Sequence, residues 1–313
     1  MSEILGVLTA FSILMIRDSI SLMLASVGEA YAERSGILNL GIEGMIMLGA
    51  GIGFVVTYKT GNPYLGFILA GLLTGIIGLV MGLFVISIGT QQHVTTLGFT
   101  IIGMGLSVYI YRLSIKSIGG VPPTVEGFPR LYIPYLSDIP ILGPSIFGQP
   151  VIAYLIILLV FFLYWLMEYT KFGLHIKAVG DNPKAADTLG VSVFKTRYIG
   201  LFIAASTAGV AGAWLSTAHS NMFLPNMSMG RGWIAIALVS FGMWNPLKVI
   251  LGSLFFGGLD ALGSVAQTYG KNVPYQFFQS IPFIVTILVL IPIAKKARVP
   301  RALLKPYRRE EAE

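Results

Sequence analysis

The chain is expected to fold as an all-α, polytopic membrane protein of about eight to ten transmembrane helices, and three observations lead there. Apolar residues make up 55% of its 313 residues and charged residues only 11%, with a mean hydropathy of +0.79. Runs of about 18 or more residues recur almost free of charge, the length that crosses a hydrocarbon core of roughly 30 Å. These runs do not alternate as barrel strands do, and a soluble chain of this length needs far more polar surface.

Windows of about 20 residues place spans near 4 to 28, 35 to 57, 64 to 89, 94 to 113, 150 to 168, 197 to 218, 232 to 244, 247 to 268 and 276 to 294. The first reads as a retained span, because Met1-Ser-Glu3 carries no positive charge and the apolar stretch from Ile4 runs past residue 20. Within it, Arg17 and Asp18 point in different directions and are expected to pair with other spans. The third carries Gly71, Gly75, Gly78 and Gly82 on one face, and the sixth crowds Ala204, Ala205, Ala208, Ala211 and Gly212 together, as tight helix contact in lipid requires. The seventh is too short to cross unless neighbouring polypeptide shields it. Trp214, Trp233, Trp244 and Tyr269 fall near window ends and are expected to be interfacial anchors.

Basic residues give the orientation. Lys171, Lys177, Lys184 and Lys195 share the loop 169–196 with Arg197 directly after it, and the tail 295–313 is basic from Lys295 to Arg309, so both are expected on the cytoplasmic side. The transmembrane region is therefore read as 1–294, with an external segment at 114–149 that is rich in Pro and Gly. The net charge of +7 is then a topology signal plus a tail beside anionic headgroups, and no nucleic-acid-binding fold accompanies it. Cysteine is absent, which excludes disulfides and thiolate catalysis, and His93, His175 and His219 are too far apart for a short-spaced metal motif. No nucleophile-base pair is visible within the spans, so an enzyme is not expected.

Gly41-Ile-Glu-Gly44, an apolar run, Asn62-Pro63 and a Gly-rich span are echoed by Gly230-Arg-Gly-Trp233, a shorter run, Asn245-Pro246 and a second Gly-rich span. Inverted repeats with such interruptions flank transport pathways, while Gly and Asn-Pro turns also recur by chance.

Within the loop, Asn182 suits an N-cap, Pro183 the first helical position and Gly190 the C′ position with positive φ, predicting a helix of about two turns. Ala185, Ala186 and Leu189 are expected to form an apolar patch while Lys184 and Asp187 stay wet. So short a helix must be held by packing, against its own chain or a partner.

Gly180, Asn182, Ala185, Ala186, Gly190 and Val191 resemble the coupling loop of ABC importer permeases of the branched family, which includes ribose, branched-chain amino acid and nucleoside permeases. Glu33-Arg-Ser-Gly-Ile-Leu-Asn-Leu-Gly-Ile-Glu-Gly-Met45 is similar to the stretch found in nucleoside and simple-sugar permeases served by basic-membrane-lipoprotein receptors. The likeness covers roughly residues 10 to 295. It implies a multi-pass subunit in the cell membrane, a separate ATP-binding subunit that docks at Gly180, Asn182, Pro183, Ala185, Ala186, Leu189 and Gly190, a second permease or a second copy, and an external binding lipoprotein. The chain carries no phosphate-binding Gly-x-x-x-x-Gly-Lys-Ser/Thr loop, so ATP and magnesium belong to the partner subunit. The expected cargo is a purine-type nucleoside; ribose, another simple sugar or a branched-chain amino acid is the alternative, and a secondary carrier is the rival from another class.

Candidate pathway residues are few. Asn39 and Glu43 would share one face of the second span, with Glu43 roughly 6–12 Å from its cytoplasmic entry. Glu43 either faces a cavity, caps a neighbouring helix or pairs with Arg34. Thr95, Thr96 and Phe99 offer hydroxyls and a flat apolar surface suited to a riboside, with Gln91, Gln92 and His93 before them as a pore lining or an interfacial loop. Asp260 is the other carboxylate deep in a span, with a pathway role and a structural hydrogen bond both open.

Overall fold

Apolar runs punctuated by Gly, Asn and Pro give helices with sharp starts. In order they are α1 (Ser2–Arg34), α2 (Ile42–Thr60), α3 (Pro63–Gly82, extended by a π-helical turn to Ile88), α4 (Gln92–Ser114), α5 (Val151–Tyr169), α6 (Lys171–Asp181), α7 (Pro183–Thr188), α8 (Val193–Trp214, extended by a π-helical turn to His219), α9 (Arg231–Phe241), α10 (Pro246–Tyr269) and α11 (Tyr275–Ala294). This computed structural model describes residues 2–115, 122–269, 274–294 and 299–308. Among them there is no strand, only isolated bridges joining Thr124 to Met222 and Arg130 to Pro150. Among the described residues seven helices are long and apolar enough to cross a membrane, and Arg231–Phe241 and Gln276–Val289 are shorter apolar helices. Together they follow the expected windows in order, and the short seventh window is the 11-residue α9.

Three expectations are corrected. The second window does not begin as helix at 35; the chain turns at Gly36, where φ is +98°, and α2 starts only at Ile42. The loop 169–196 holds two helices, because Thr170 caps α6 by accepting from Gly173 N at 3.3 Å before α7 begins. Trp214 and Trp244 are buried and do not anchor an interface. Their indole N–H groups donate to Arg17 O at 3.0 Å and to Glu33 Oε2 at 2.6 Å. Trp233 is exposed, and the Tyr269 side chain lies outside what is described.

The two Asn-Pro signals act alike. Asn62 Oδ1 accepts from Tyr64 N and Leu65 N at 3.0 and 3.3 Å, and Asn245 Oδ1 accepts from Leu247 N and Lys248 N at 3.0 and 3.3 Å. In both copies Pro occupies the next position, where a missing N–H costs nothing.

α8 sits at the centre because its small residues let neighbours approach to backbone contact. A Cβ at Gly49 of α2 would meet the backbone of Gly209, one at Gly212 the carbonyl of Ile46, and one at Gly28 of α1 the Thr207 side chain. The α3 stripe faces the same helix, with Gly71, Gly75, Gly78 and Gly82 against Val210, Ser206, Ala205 and Tyr198. Ser216 Oγ donates to Ala50 O at 2.9 Å, closing the α2–α8 contact. Arg17 does not pair with a span as expected: its Nε donates at 3.1 Å to Gln149 Oε1, in the segment before α5.

Adding a methyl at Gly212 forces this contact apart at a cost of about 1–3 kcal/mol, whereas Gly98 of α4 faces open space. Thermal melts in detergent should therefore place Gly212→Ala clearly below the parent and Gly98→Ala level with it or above. Equal midpoints for the two variants would contradict the packing.

Candidate functional site

α9 begins among other helices, so its first N–H groups need acceptors where water is scarce. Glu43, one residue into α2 and buried, supplies them. Its Oε1 accepts from Ser228 Oγ at 2.5 Å and Gly230 N at 2.9 Å, and its Oε2 from Gly232 N at 2.6 Å. Glycine is needed at both neighbours: Gly230 has φ +81°, and a Cβ at Gly232 would meet Glu43 Cα at 2.6 Å. The two echoed segments thus meet at their N-terminal ends. From there α9 leads to Trp244 beside Glu33, near the end of α1, and α2 leads to Tyr64, which packs edge-on against Phe128.

That cap aims Arg231 at two carboxylates. Its Nη2 lies 2.9 Å from Asp18 Oδ1 on α1 and 3.1 Å from Asp260 Oδ2 on α10, and His219 Nε2, in the π-helical end of α8, lies 3.0 Å from the same Asp18 oxygen. Arg231 Nε is buried without a hydrogen-bond partner among the described residues. All four side chains line a cavity of about 300 Å³ together with Gln267, Phe278 and Phe283. Two carboxylates against one guanidinium leave acceptor oxygens in excess, and the phenyl rings add flat apolar surface. This combination suits a neutral ligand rich in O–H and N–H donors with a ring to stack. It is unsuited to an anion.

Of the expected pathway residues, Asp260 lines this cavity; Asn39, Glu43, Thr95, Thr96 and Phe99 do not. Asn39 precedes α2, so it does not share a helix face with Glu43; its N and Nδ2 donate to Glu29 at 3.1 and 3.0 Å. Thr96 is buried with its hydroxyl on Gln92 O at 2.7 Å, and Thr95 shares a hydrogen bond with Thr90 at 2.8 Å. Phe99 packs near Phe84 with ring centroids 6.1 Å apart. Gln92 is not an interfacial loop residue: it is buried and accepts from Leu38 N at 2.9 Å. Sequence reading passed over Asp18, His219, Arg231 and Gln267 as cavity residues. An ionisable residue beside an apolar run, as in Gly230-Arg-Gly-Trp233, was the available signal.

The loop helix α7 is built as its capping signals require. Asn182 Oδ1 accepts from Ala185 N at 3.1 Å, and Gly190, at φ +85°, ends it. Gly190 N donates to Asp187 O and Val191 N to Ala186 O, both at 2.9 Å, the paired bonds of a Schellman cap. The apolar patch is redistributed, however. Ala186 is only 3% exposed and packs with Val179, Val193 and Tyr307, whereas Leu189 is 84% exposed. Ala185 stands outward beside Leu189. Gly180 is conformationally ordinary but sterically required, since a Cβ there would collide with the carbonyl of Arg34.

Removing the Glu43 carboxylate should strand three donors, one hydroxyl and two backbone N–H groups, at about 1–3 kcal/mol for each buried group left unpaired. A lower melting midpoint for Glu43→Ala than for Gly98→Ala is expected; a parent-like midpoint would show that α9 is held by something else.

Known proteins can be set beside this geometry. Residues 12–290 match the family described as branched-chain amino acid transport system / permease component. The chain is 37% identical to the provisionally named glucose ABC transporter permease protein TsgC13 of Haloferax volcanii, over 92% of this chain and 94% of that one. It is 31% identical to the guanosine ABC transporter permease protein NupQ of Bacillus subtilis, over 91% and 92% of the two chains. It is likewise 31% identical to the nucleoside ABC transporter permease protein NupC of Lactococcus lactis subsp. cremoris, again over 91% and 92%. No solved structure matches it. Membership in such a family implies an ATP-binding subunit and a substrate-binding partner. A polytopic helical bundle with a capped loop helix, and relatives that are permeases along nearly their whole length, lead to one conclusion: the chain belongs to the branched-chain amino acid transport system / permease component family and is a membrane-spanning ABC transporter permease subunit.

Proposed function

We propose that this permease imports a neutral riboside, a purine-type nucleoside, through the cavity at Asp18, Arg231 and Asp260. The supporting observation is the pairing of surplus carboxylate oxygens with Phe278 and Phe283 around about 300 Å³, near the lower end of ligand-pocket volumes. Sugar hydroxyls would donate to the carboxylates, the base would lie on the rings, and Arg231 Nε would offer a donor to a base or ring oxygen. The nucleoside and guanosine permeases among the relatives point the same way. A second reading, a simple-sugar cargo, is favoured by the relative named for glucose, and the same carboxylates would serve it without the rings.

In this reading the subunit lies in the cytoplasmic membrane with α6, α7 and the C-terminal segment inside, where Lys171, Lys177, Lys184, Lys195 and the basic tail favour them. A separate ATPase docks on the outward side of α7, through Ala185 and Leu189. A second permease, either a homologue or another copy, completes the assembly, and an external lipoprotein delivers the cargo. Closure of the ATPase displaces α7, and the flanking spans tilt to switch the open side.

The experiment is ATP-driven uptake into vesicles holding the complete transporter and its receptor, with radiolabelled guanosine, adenosine, ribose, glucose and leucine. Guanosine or adenosine should accumulate, and Asp260→Asn should lower that uptake at least about tenfold, the scale of losing one hydrogen bond to a charged group. Accumulation of glucose or ribose in preference would replace the nucleoside with a sugar. Uptake indifferent to Asp260→Asn would move the pathway elsewhere.

A further inference from the structure

The described part of the C-terminal segment, residues 299–308, does not trail away from the bundle. Ala302 N donates to Gly180 O at 2.8 Å and Leu304 N to Gly36 O at 3.2 Å. Arg197, near the start of α8 and 1% exposed, clamps both sides: its Nε donates to Ser35 O and its Nη1 to Lys305 O, each at 3.2 Å. Tyr307 is buried against Val179, Ala186 and Val193 and stacks edge-on with Phe194, ring centroids 5.9 Å apart. The segment is thus fastened at once to the loop after α1, to the end of α6, to α7 and to α8.

Fastened this way, it forms one wall of an open groove whose other wall is α7. The groove encloses about 270 Å³ and is rimmed by Lys184 on one side and Arg301, Lys305 and Arg308 on the other, with Asp181 as the acid among its lining residues. Arg301 and Lys305 stand exposed, and the groove reaches α7 at Asn182, Pro183 and Lys184, directly before the exposed Ala185. A rim that carries Arg301 and Lys305 attracts an acidic surface.

We propose that residues 299–308 form the second half of the docking surface for the ATP-binding subunit, receiving an acidic patch of that subunit beside α7. The inference rests on the coupling reading of α7 and adds a contact that α7 alone cannot make. It also gives the segment a mechanical role. A pull on this composite surface reaches α1 through Gly36 and α8 through Arg197 at the same time.

The test uses the complex purified from cells making this chain with its ATP-binding subunit, measuring how tightly that subunit is retained at about 0.1 M salt, where the screening length is roughly 10 Å. The variants are Arg301→Glu with Lys305→Glu, and separately Leu189→Glu. Both side chains of the double variant are exposed, so its melting midpoint should match the parent; if it unfolds, Arg301→Gln with Lys305→Gln replaces it. The expected result is retention weakened about tenfold or more by each set, the scale of close interfacial charge pairs, with the parent complex loosening as salt rises. Loss with Leu189→Glu alone would overturn the proposal and leave α7 as the docking element. Full retention by both would remove the coupling reading along with it. If the tail variant kept the ATPase but lost binding to phosphatidylglycerol vesicles, the groove would be a lipid site and the proposal wrong.

Discussion

The structure depends on a carboxylate placed where a helix starts without water. α9 is too short to span a bilayer, and a helix that begins inside a bundle leaves its first N–H groups without partners. Glu43 gives them two oxygens from the first turn of α2, at 2.6 to 2.9 Å from the backbone nitrogens. Opposite partial charges at the N-terminus of α9 and on the Glu43 carboxylate favour the same arrangement. Once this cap exists, Arg231 has one place to go, and that place is between Asp18 and Asp260.

α1 carries this arrangement to the other end of the molecule. Its buried carboxylates hold the interrupted parts of the chain: Asp18 holds the start of α9, Glu29 holds Asn39 in the loop before α2, and Glu33 holds Trp244 after α9. One residue later, the Arg34 carbonyl lies against Gly180. Between Asp18 and Arg34 the helix rises about 24 Å at 1.5 Å per residue. A single rigid element therefore joins the cavity to the segment ahead of α7, which is what a transporter driven by a separate subunit needs.

Much of what depends on neighbours in sequence was legible, although the Thr170 cap of α6 and the turn at Gly36 were not. Hydropathy found the spans, with windows from 64 and 247 that begin one residue inside α3 and α10, and Asn182, Pro183 and Gly190 announced the α7 caps. The small-residue stripes of α3 and α8 also meant what they usually mean. Pairings across the chain were hidden, because nothing local ties Arg231 to Asp18, Arg197 to Lys305 or Tyr307 to Ala186. The same blindness put Ala186 on the outside, since a six-residue helix shows no periodicity long enough to say which face is covered. Trp214 and Trp244 looked like interfacial anchors because indoles near span ends usually are; here each N–H found a buried acceptor. Asn39 and Glu43 were marked as unusual for the cost of polar groups at depth; Glu43 caps a neighbouring helix, one of the three readings the sequence left open, and Asn39 is held by Glu29.

The chain has no native cysteine, so one can be introduced at the cavity and read alone. In Gln267→Cys a small hydrophilic maleimide should react, and millimolar guanosine should slow the reaction. With Glu43→Ala added, that protection should disappear as α9 and Arg231 lose their position. Labelling that guanosine leaves unchanged in the first protein, or protection that survives loss of the Glu43 carboxylate, would contradict the claim that this cap builds the solute site.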